Sequence, residues 1–119
     1  ICSKNSVDCY NPKVVQASMG SLSRVDIIYT DLIKFITNEK IPVYGTSKDG
    51  KSILKFSKNI NSGIWIFGSE AHGISNDIIE LCDSFYSIPK SNKEILTESL
   101  NLSVSASLVM GYLKLFNRS

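Results

Sequence analysis

IWIFGSEAHGIS, residues 64–75, decides the fold and contains two glycines, Gly68 and Gly73. Its first four residues are all apolar, which is typical of a short parallel strand that is covered on both faces. A glycine after such a strand lets a ligand approach the backbone closely, although the same glycines could simply form a turn. The flanking strand and helix patterns favour the ligand-binding interpretation.

Short apolar runs alternate with helix-like segments along the rest of the chain. We predict four helices, which begin after Asn11, after Thr30 or Asp31, after Ser75, and at Ser99 or Leu100. The first ends near Gly20, the last ends near Phe116, and the second has an inner face of Leu32, Ile33, Phe35 and Ile36. We predict four strands, at residues 25–28, 41–45, 63–68 and 84–89, and a loop or hairpin at residues 48–61 with a turn at Asp49-Gly50.

This alternation indicates an α/β fold with a mainly parallel sheet that is flanked by helices. In such sheets, ligands bind beyond the carboxyl ends of the strands. Here the loops YGTS, FGSEAHG and IPKSN follow three of the strands. We therefore expect these three loops to form one site.

Composition excludes several classes of protein. A length of 119 residues is typical of one domain. A net charge of +2 is too small to decide for or against nucleic-acid binding. No apolar run approaches the roughly 18 residues of a membrane span, and the first ten residues do not form a secretory signal. Cys2, Cys9 and Cys82 lack C-x-x-C spacing, which argues against zinc and for free, mostly buried thiols in a reducing cytoplasm. Because the chain begins with Ile1, we expect a processed or excised piece.

Two segments resemble signature motifs of the SpoU/TrmH-type RNA 2′-O-ribose methyltransferases of the SPOUT class. IWIFGSEAHGIS is similar to the second motif, and SIPKSNKEILTESLNLSVSASLVMGY is similar to the third. YNPKVVQASMGS and IPVYGTSKDGKS also resemble segments that precede the second motif in this family. The resemblance thus covers nearly the whole chain, with the motifs in order.

The resemblance implies a single SPOUT domain over residues 1–119, with a trefoil knot near the C-terminus, a homodimer and no metal. It implies an enzyme that methylates a ribose 2′-hydroxyl of transfer or ribosomal RNA with S-adenosyl-L-methionine (AdoMet). The implied AdoMet-binding residues are Tyr44, Gly45, Thr46, Gly68, Glu70, Gly73, Ile88, Pro89, Ser99, Leu100 and Asn101. The implied catalytic residues are Glu70, Ser99 and Asn101.

Each of these polar residues also has a purely structural interpretation. Glu70 could cap the following turn, bond backbone amides near a helix start, or simply be a solvated acid of the loop, and we favour a structural role within the site. Ser99 or Thr97 could cap the last helix, while Asn101 matches an asparagine of the third motif that shapes the cofactor pocket. His72, the single histidine, is the obvious general base, but its position in the family is not catalytic.

Two groups of lysines are candidates for contact with RNA. For Lys48, Lys51, Lys55 and Lys58, a solvated face is the favoured interpretation. Lys90 and Lys93 lie in the loop of the third motif, where they could contact phosphates.

The sequence departs from the family in two places. The first signature motif, which contributes the arginine that activates the ribose hydroxyl, lies upstream in the family and is absent here, so we expect the piece alone to be inactive. The third-motif loop has Lys90 where relatives have methionine, and it has no glycine. A catalytically inactive RNA- or nucleotide-binding module is the alternative function. A nicotinamide enzyme is disfavoured because no G-x-G-x-x-G follows the first strand.

Overall fold

The computed structural model describes residues 1–56, 62–89 and 100–116. The chain divides into two compact units, Ile1–Asn38 and Glu39–Ser119. The single-domain organisation and the knot remain predictions.

The unit Ile1–Asn38 contains two short parallel strands and two helices. Strands β1 (Cys2–Ser3) and β2 (Tyr29–Thr30) pair in parallel, so the strand expected at residues 25–28 lies later than predicted. Two-residue strands bury too few side chains to leave an alternating pattern in the sequence.

Helix α1 (Pro12–Ala17) confirms the predicted start, because the Asn11 side chain accepts a hydrogen bond from the Lys13 amide at 3.0 Å. Gly20, with φ of 81°, then leads into a 3-10 helix at Ser21–Arg24. The left-handed backbone at Gly20 ends the helical segment where the sequence predicted.

Helix α2 (Leu32–Asn38) is capped by Asp31, whose carboxylate accepts a hydrogen bond from the Lys34 amide at 3.2 Å. Ile36 is 5% exposed, as expected for its inner face. Ile33 is 43% exposed, so its predicted place on that face is wrong. A helix turns about 100° per residue, which puts Ile33 at the edge of the apolar arc.

The unit Glu39–Ser119 contains a three-stranded parallel sheet in the order β4-β3-β5. The strands are β3 (Val43–Ser52), β4 (Ile64–Ile66) and β5 (Ser84–Ser87). Helices α3 (Asn76–Ile79) and α4 (Leu102–Phe116) complete the unit. The predicted α/β class with parallel strands and helices is therefore confirmed. Within the described residues, no helix combines the length and hydrophobicity that a membrane span requires.

Strand β3 does not end at Gly45, as the sequence predicted, but continues to Ser52. Its partner Tyr86 in β5 pairs with both Thr46 and Lys51, so residues 47–50 bulge out of the ladder. The predicted turn at Asp49-Gly50 is this bulge. A Cβ on Gly50 would lie 2.7 Å from the carbonyl carbon of Phe85, which explains why glycine is needed where the strand resumes.

The core of this unit consists of Tyr44, Ile53, Phe56 and Val109, the last of them 2% exposed. Val109 belongs to α4, and the other three come from β3 and the segment after it. Around this core lie the partly buried side chains of Trp65, Phe67, Tyr86, Ile88, Tyr112 and Leu113. Helix α4 therefore packs on side chains from all three strands and the residues that follow them.

The three cysteines are free thiols, and they are half-buried instead of mostly buried. Burial, followed by the nearby Asp83 carboxylate, raises the pKa of the Cys82 thiol. A raised pKa lowers the thiolate fraction and hence the reactivity of Cys82.

Candidate active site

Residues 45 and 46 of β3 are held against the carboxyl end of β4, where the first two loops were predicted to begin. Gly45 pairs with Ile66 in the parallel ladder, and the Thr46 hydroxyl donates a hydrogen bond to the Ile66 carbonyl at 3.0 Å. Gly45 also lies against the Phe85 ring, because a Cβ at this position would be 2.3 Å from a ring carbon. The structure thus packs the backbone of residues 44–46 between the two neighbouring strands.

The loop after β4 closes tightly on itself. The Ser69 amide donates to the Gly73 carbonyl at 3.0 Å, and the Gly73 amide donates to the Ser69 carbonyl at 2.8 Å. Gly73 has a φ of 68°, in the left-handed region, and no heavy atom of the described residues lies within 4 Å of where its Cβ would be. A Cβ on Gly68 would lie 2.1 Å from the Gly73 carbonyl carbon. Both glycines are therefore required by the turn, and the described part of the chain leaves open space beside the backbone of Gly73.

Glu70, at the tip of this loop, connects it to the start of α4. One carboxylate oxygen accepts hydrogen bonds from the Asn101 side-chain amide at 2.9 Å and from the Leu102 backbone amide at 3.2 Å. The expectation that Glu70 bonds amides near a helix start is confirmed. A negative charge at this position is also favourable for the α4 dipole. We call the two bonds from Glu70 to residues 101 and 102 the Glu70 latch.

Asn101 caps α4. Its side-chain oxygen accepts hydrogen bonds from the Ser103 amide at 2.9 Å, from the Val104 amide at 3.4 Å and from the Ser103 hydroxyl. The helix therefore begins at Leu102, later than the predicted start at Ser99 or Leu100. The capping candidates Thr97 and Ser99 lie outside the described residues, as do Lys58, Lys90 and Lys93.

The cap and the Glu70 latch together occupy both ends of the Asn101 amide. The side-chain oxygen accepts hydrogen bonds from the first turn of α4, and the side-chain nitrogen donates a hydrogen bond to the Glu70 carboxylate. The arrangement fixes the start of α4 against the loop after β4, which brings two of the predicted site segments together. Ser75, by contrast, precedes α3 without a capping side-chain hydrogen bond.

Four aromatic rings support the strand ends, and the sequence analysis did not identify them as a group. The rings of Tyr44, Phe56, Trp65 and Tyr86 all contact one another, with centroids 5.1 to 5.8 Å apart. Pairs of this kind contribute about 0.5 to 1.5 kcal/mol each beyond their buried area. Burial, then Tyr86 and Asp83, raises the pKa of the Tyr44 hydroxyl. The rings come from four separate segments, so no periodic pattern in the sequence connects them.

The remaining predicted site residues lie in different environments. Ile88 is partly buried against the core beneath α4, whereas Pro89 is exposed and Leu100 is 49% exposed. His72 is exposed, and its backbone amide donates to the Ser69 hydroxyl at 3.1 Å. Among the described residues, no group of three or more potential metal ligands comes together.

Comparisons with known proteins give one family and one fold. A sequence model of the SpoU rRNA Methylase family matches residues 1–111. A structure described as that of an RNA methyltransferase of the TrmH family from Porphyromonas gingivalis is 32% identical to the chain. That match has a TM-score of 0.78 and covers 93% of this chain and 46% of that one. No curated protein matches the chain.

Two further structures share the fold. The SpoU methyltransferase AviRb from Streptomyces viridochromogenes, in complex with the cofactor AdoMet, is 24% identical with a TM-score of 0.75. The match covers 91% of this chain and 45% of that one. An RNA 2′-O ribose methyltransferase is 24% identical with a TM-score of 0.77, and the match covers 96% of this chain and 44% of that one. The chain thus spans about half the length of the structures that it matches.

Proposed function

The chain belongs to the SpoU rRNA Methylase family, and from that membership we propose that it is the AdoMet-binding part of an RNA methyltransferase. The proposed reaction transfers a methyl group to a ribose 2′-hydroxyl of transfer or ribosomal RNA. One observation carries the proposal. The Glu70 latch joins the loop after β4 to the start of α4, and these are the segments that resemble the second and third signature motifs.

The residues at the strand ends suit AdoMet. Its adenine ring is flat and carries hydrogen-bonding edges, which the backbone of residues 44–46 and of Gly68 would bind. The open space beside Gly73 allows the ligand to approach the loop, and exposed Leu100 offers an apolar contact. Ile88 and Pro89 belong to the same proposed site, with Ser99 beside Leu100 in the sequence.

When bound, AdoMet supplies an electrophilic methyl group on its sulfonium. The ribose hydroxyl becomes a good nucleophile only when a base or a nearby cation favours loss of its proton. Glu70 is already committed to Asn101 and Leu102, so it is better suited to positioning than to removing a proton. We assign Glu70 and Asn101 as positioning residues that hold the start of α4 beside the reacting groups, with Ser99 in the same segment. The activating cation is expected from the first signature motif.

A methyl-transfer assay tests the proposed function. The protein that contains this chain is incubated with AdoMet labelled in the methyl group and with total transfer and ribosomal RNA. We expect label in dinucleotides that resist alkaline cleavage, because a 2′-O-methyl group removes the hydroxyl that attacks the adjacent phosphate. Label in the bases would contradict the ribose assignment. Cofactor binding without any transfer would favour the alternative of a catalytically inactive binding module.

The proposed assembly is a homodimer. Val104, Leu108 and Leu115 are exposed, and they form an apolar row on the side of α4 away from Val109. A second copy of the chain would cover this row.

We expect Leu108→Glu to shift the mass measured by sedimentation from dimer to monomer, because a buried, unpaired carboxylate is costly. Met110 is also exposed but lies on another side of α4, so Met110→Glu serves as the matched control and should remain dimeric. A parent chain that sediments as a monomer at micromolar concentration would contradict the dimer.

A further inference from the structure

Three lysines lie within eight consecutive residues, 48–55, of the segment that extends β3. Lys48 is in the bulge, Lys51 is in the resumed strand, and Lys55 is in the 3-10 helix Ile53–Lys55. All three are exposed, and no carboxylate of the described residues forms an ion pair with any of them. We call these residues the β3 lysines. Sequence analysis alone favoured an ordinary solvated face for them.

The backbone that carries the β3 lysines is fixed in place. The Ser87 hydroxyl donates to the Gly50 carbonyl at 2.9 Å, and Lys51 pairs with Tyr86 in β5. Ile53 is buried in the core, and the Tyr112 hydroxyl of α4 donates to the Leu54 carbonyl at 3.4 Å. The lysines therefore project from an anchored segment, which reduces the entropy lost when they bind a partner.

The segment also lies at the carboxyl-terminal edge of the sheet, where Ser52 pairs with Ser87 near the end of β5. The bulge at residues 47–50 directly follows residues 44–46, which are proposed to bind AdoMet. Because ligands of such sheets bind beyond the carboxyl ends of the strands, we expect the substrate to lie near this edge.

The charge of the chain is concentrated in this segment. The β3 lysines contribute +3 and Asp49 contributes −1, which equals the chain's net charge of +2. The other ten basic residues are balanced by ten acidic residues. A polyanion would therefore be attracted to this edge more strongly than the small net charge suggests.

We propose that Lys48, Lys51 and Lys55 contact backbone phosphates of the RNA substrate beside the AdoMet site. This inference rests on the proposed function, which makes RNA the partner. These contacts are electrostatic and do not depend on the RNA sequence. They would position the RNA backbone, whereas contacts with the bases would select the nucleotide.

The test replaces all three lysines by glutamine and measures the affinity of the chain for a fluorescein-labelled RNA hairpin at several salt concentrations. Each phosphate contact contributes about 0.7 to 0.9 to the slope of log K against log salt, so the slope should decrease by about 2. The affinity at low salt should fall on the order of 10- to 100-fold. Replacement of the same three lysines by arginine should restore both values, since arginine also binds phosphate.

The matched control changes the net charge equally at three exposed lysines of the other unit, with Lys4→Gln, Lys13→Gln and Lys34→Gln. This control should keep the slope of the parent chain. If the control and the test variant lost the same RNA affinity and the same salt-dependence slope, the proposal would be overturned, because the effect would come from net charge alone. A parent chain that does not bind the hairpin at low salt would also overturn it.

Titration of the same proteins with S-adenosylhomocysteine distinguishes this inference from the proposed function. The triple glutamine variant should bind this ligand as the parent does, because the lysine side chains are exposed and are not among the proposed AdoMet contacts. If no variant binds S-adenosylhomocysteine, the proposed function fails, whatever the RNA measurements give. If all variants bind it and the RNA affinity does not change, only the lysine proposal fails.

Discussion

Replacement of Gly68 by alanine will lower the free energy of unfolding by about 3 kcal/mol, at the upper end of what overpacking usually costs. The added Cβ would lie 2.1 Å from the carbonyl carbon of Gly73 and 2.4 Å from the amide nitrogen of Ile74. Both contacts are with backbone atoms, so rotation of a side chain cannot relieve them. The loop must open, and the two hydrogen bonds between Ser69 and Gly73 will be lost or lengthened.

Gly111→Ala is the matched control for this prediction. Gly111 lies within α4, and a Cβ there would have no atom of residues 1–56, 62–89 or 100–116 within 4 Å. Alanine in a helix interior is favoured over glycine by about 0.5 to 1 kcal/mol, so this variant should be more stable than the parent. Urea unfolding followed by circular dichroism measures both changes. If Gly68→Ala were as stable as the parent, the closed geometry of the loop would be wrong.

If the proposed function holds, replacement of Asn101 by alanine will reduce methyl transfer by the protein that contains this chain by about 100-fold, the size of effect that small misplacement of reacting groups produces. The substitution removes the cap of α4, which costs about 1 kcal/mol of stability. It also removes the side-chain amide that holds Glu70, so the loop after β4 is no longer joined to α4 in the same way. Turnover is measured with labelled AdoMet, and stability with urea.

Asn101→Ser separates the cap from the latch. Serine caps helices about as well as asparagine, so stability should stay close to that of the parent. Serine cannot place an amide against Glu70, and methyl transfer should therefore still fall. Glu70→Ala should give a similar loss, and the double variant should be little worse than either single one, because all three interrupt the same contact. Full turnover in Asn101→Ser would contradict the positioning role of Asn101.

Local sequence patterns predicted much of the fold correctly. Strand β4 and the glycine loop after it were recognisable because an uninterrupted apolar run and two glycines lie within twelve residues. Helix α1 was predictable from Asn11 and Pro12, which satisfy the requirements of a helix start without help from the rest of the chain.

Elements that depend on distant partners were predicted less well. The second half of β3 is polar, and it pairs as a strand only because β5 lies alongside it. The start of α4 was misplaced because Ser99 and Thr97 are as good capping residues as Asn101. Glu70 lies 31 residues from Asn101 in the sequence, and only the folded sheet brings their side chains to 2.9 Å.

The central claim is that residues 44–46 of β3, the loop after β4 and the start of α4 form one AdoMet-binding site. It is tested most directly by NMR titration of the ¹⁵N-labelled chain with S-adenosylhomocysteine. Saturable shifts of the backbone amides of Thr46, Gly68, Gly73, Leu100 and Asn101 are the result that we predict. A folded chain in which these amides do not shift, or in which shifts are confined to the unit Ile1–Asn38, would contradict the claim.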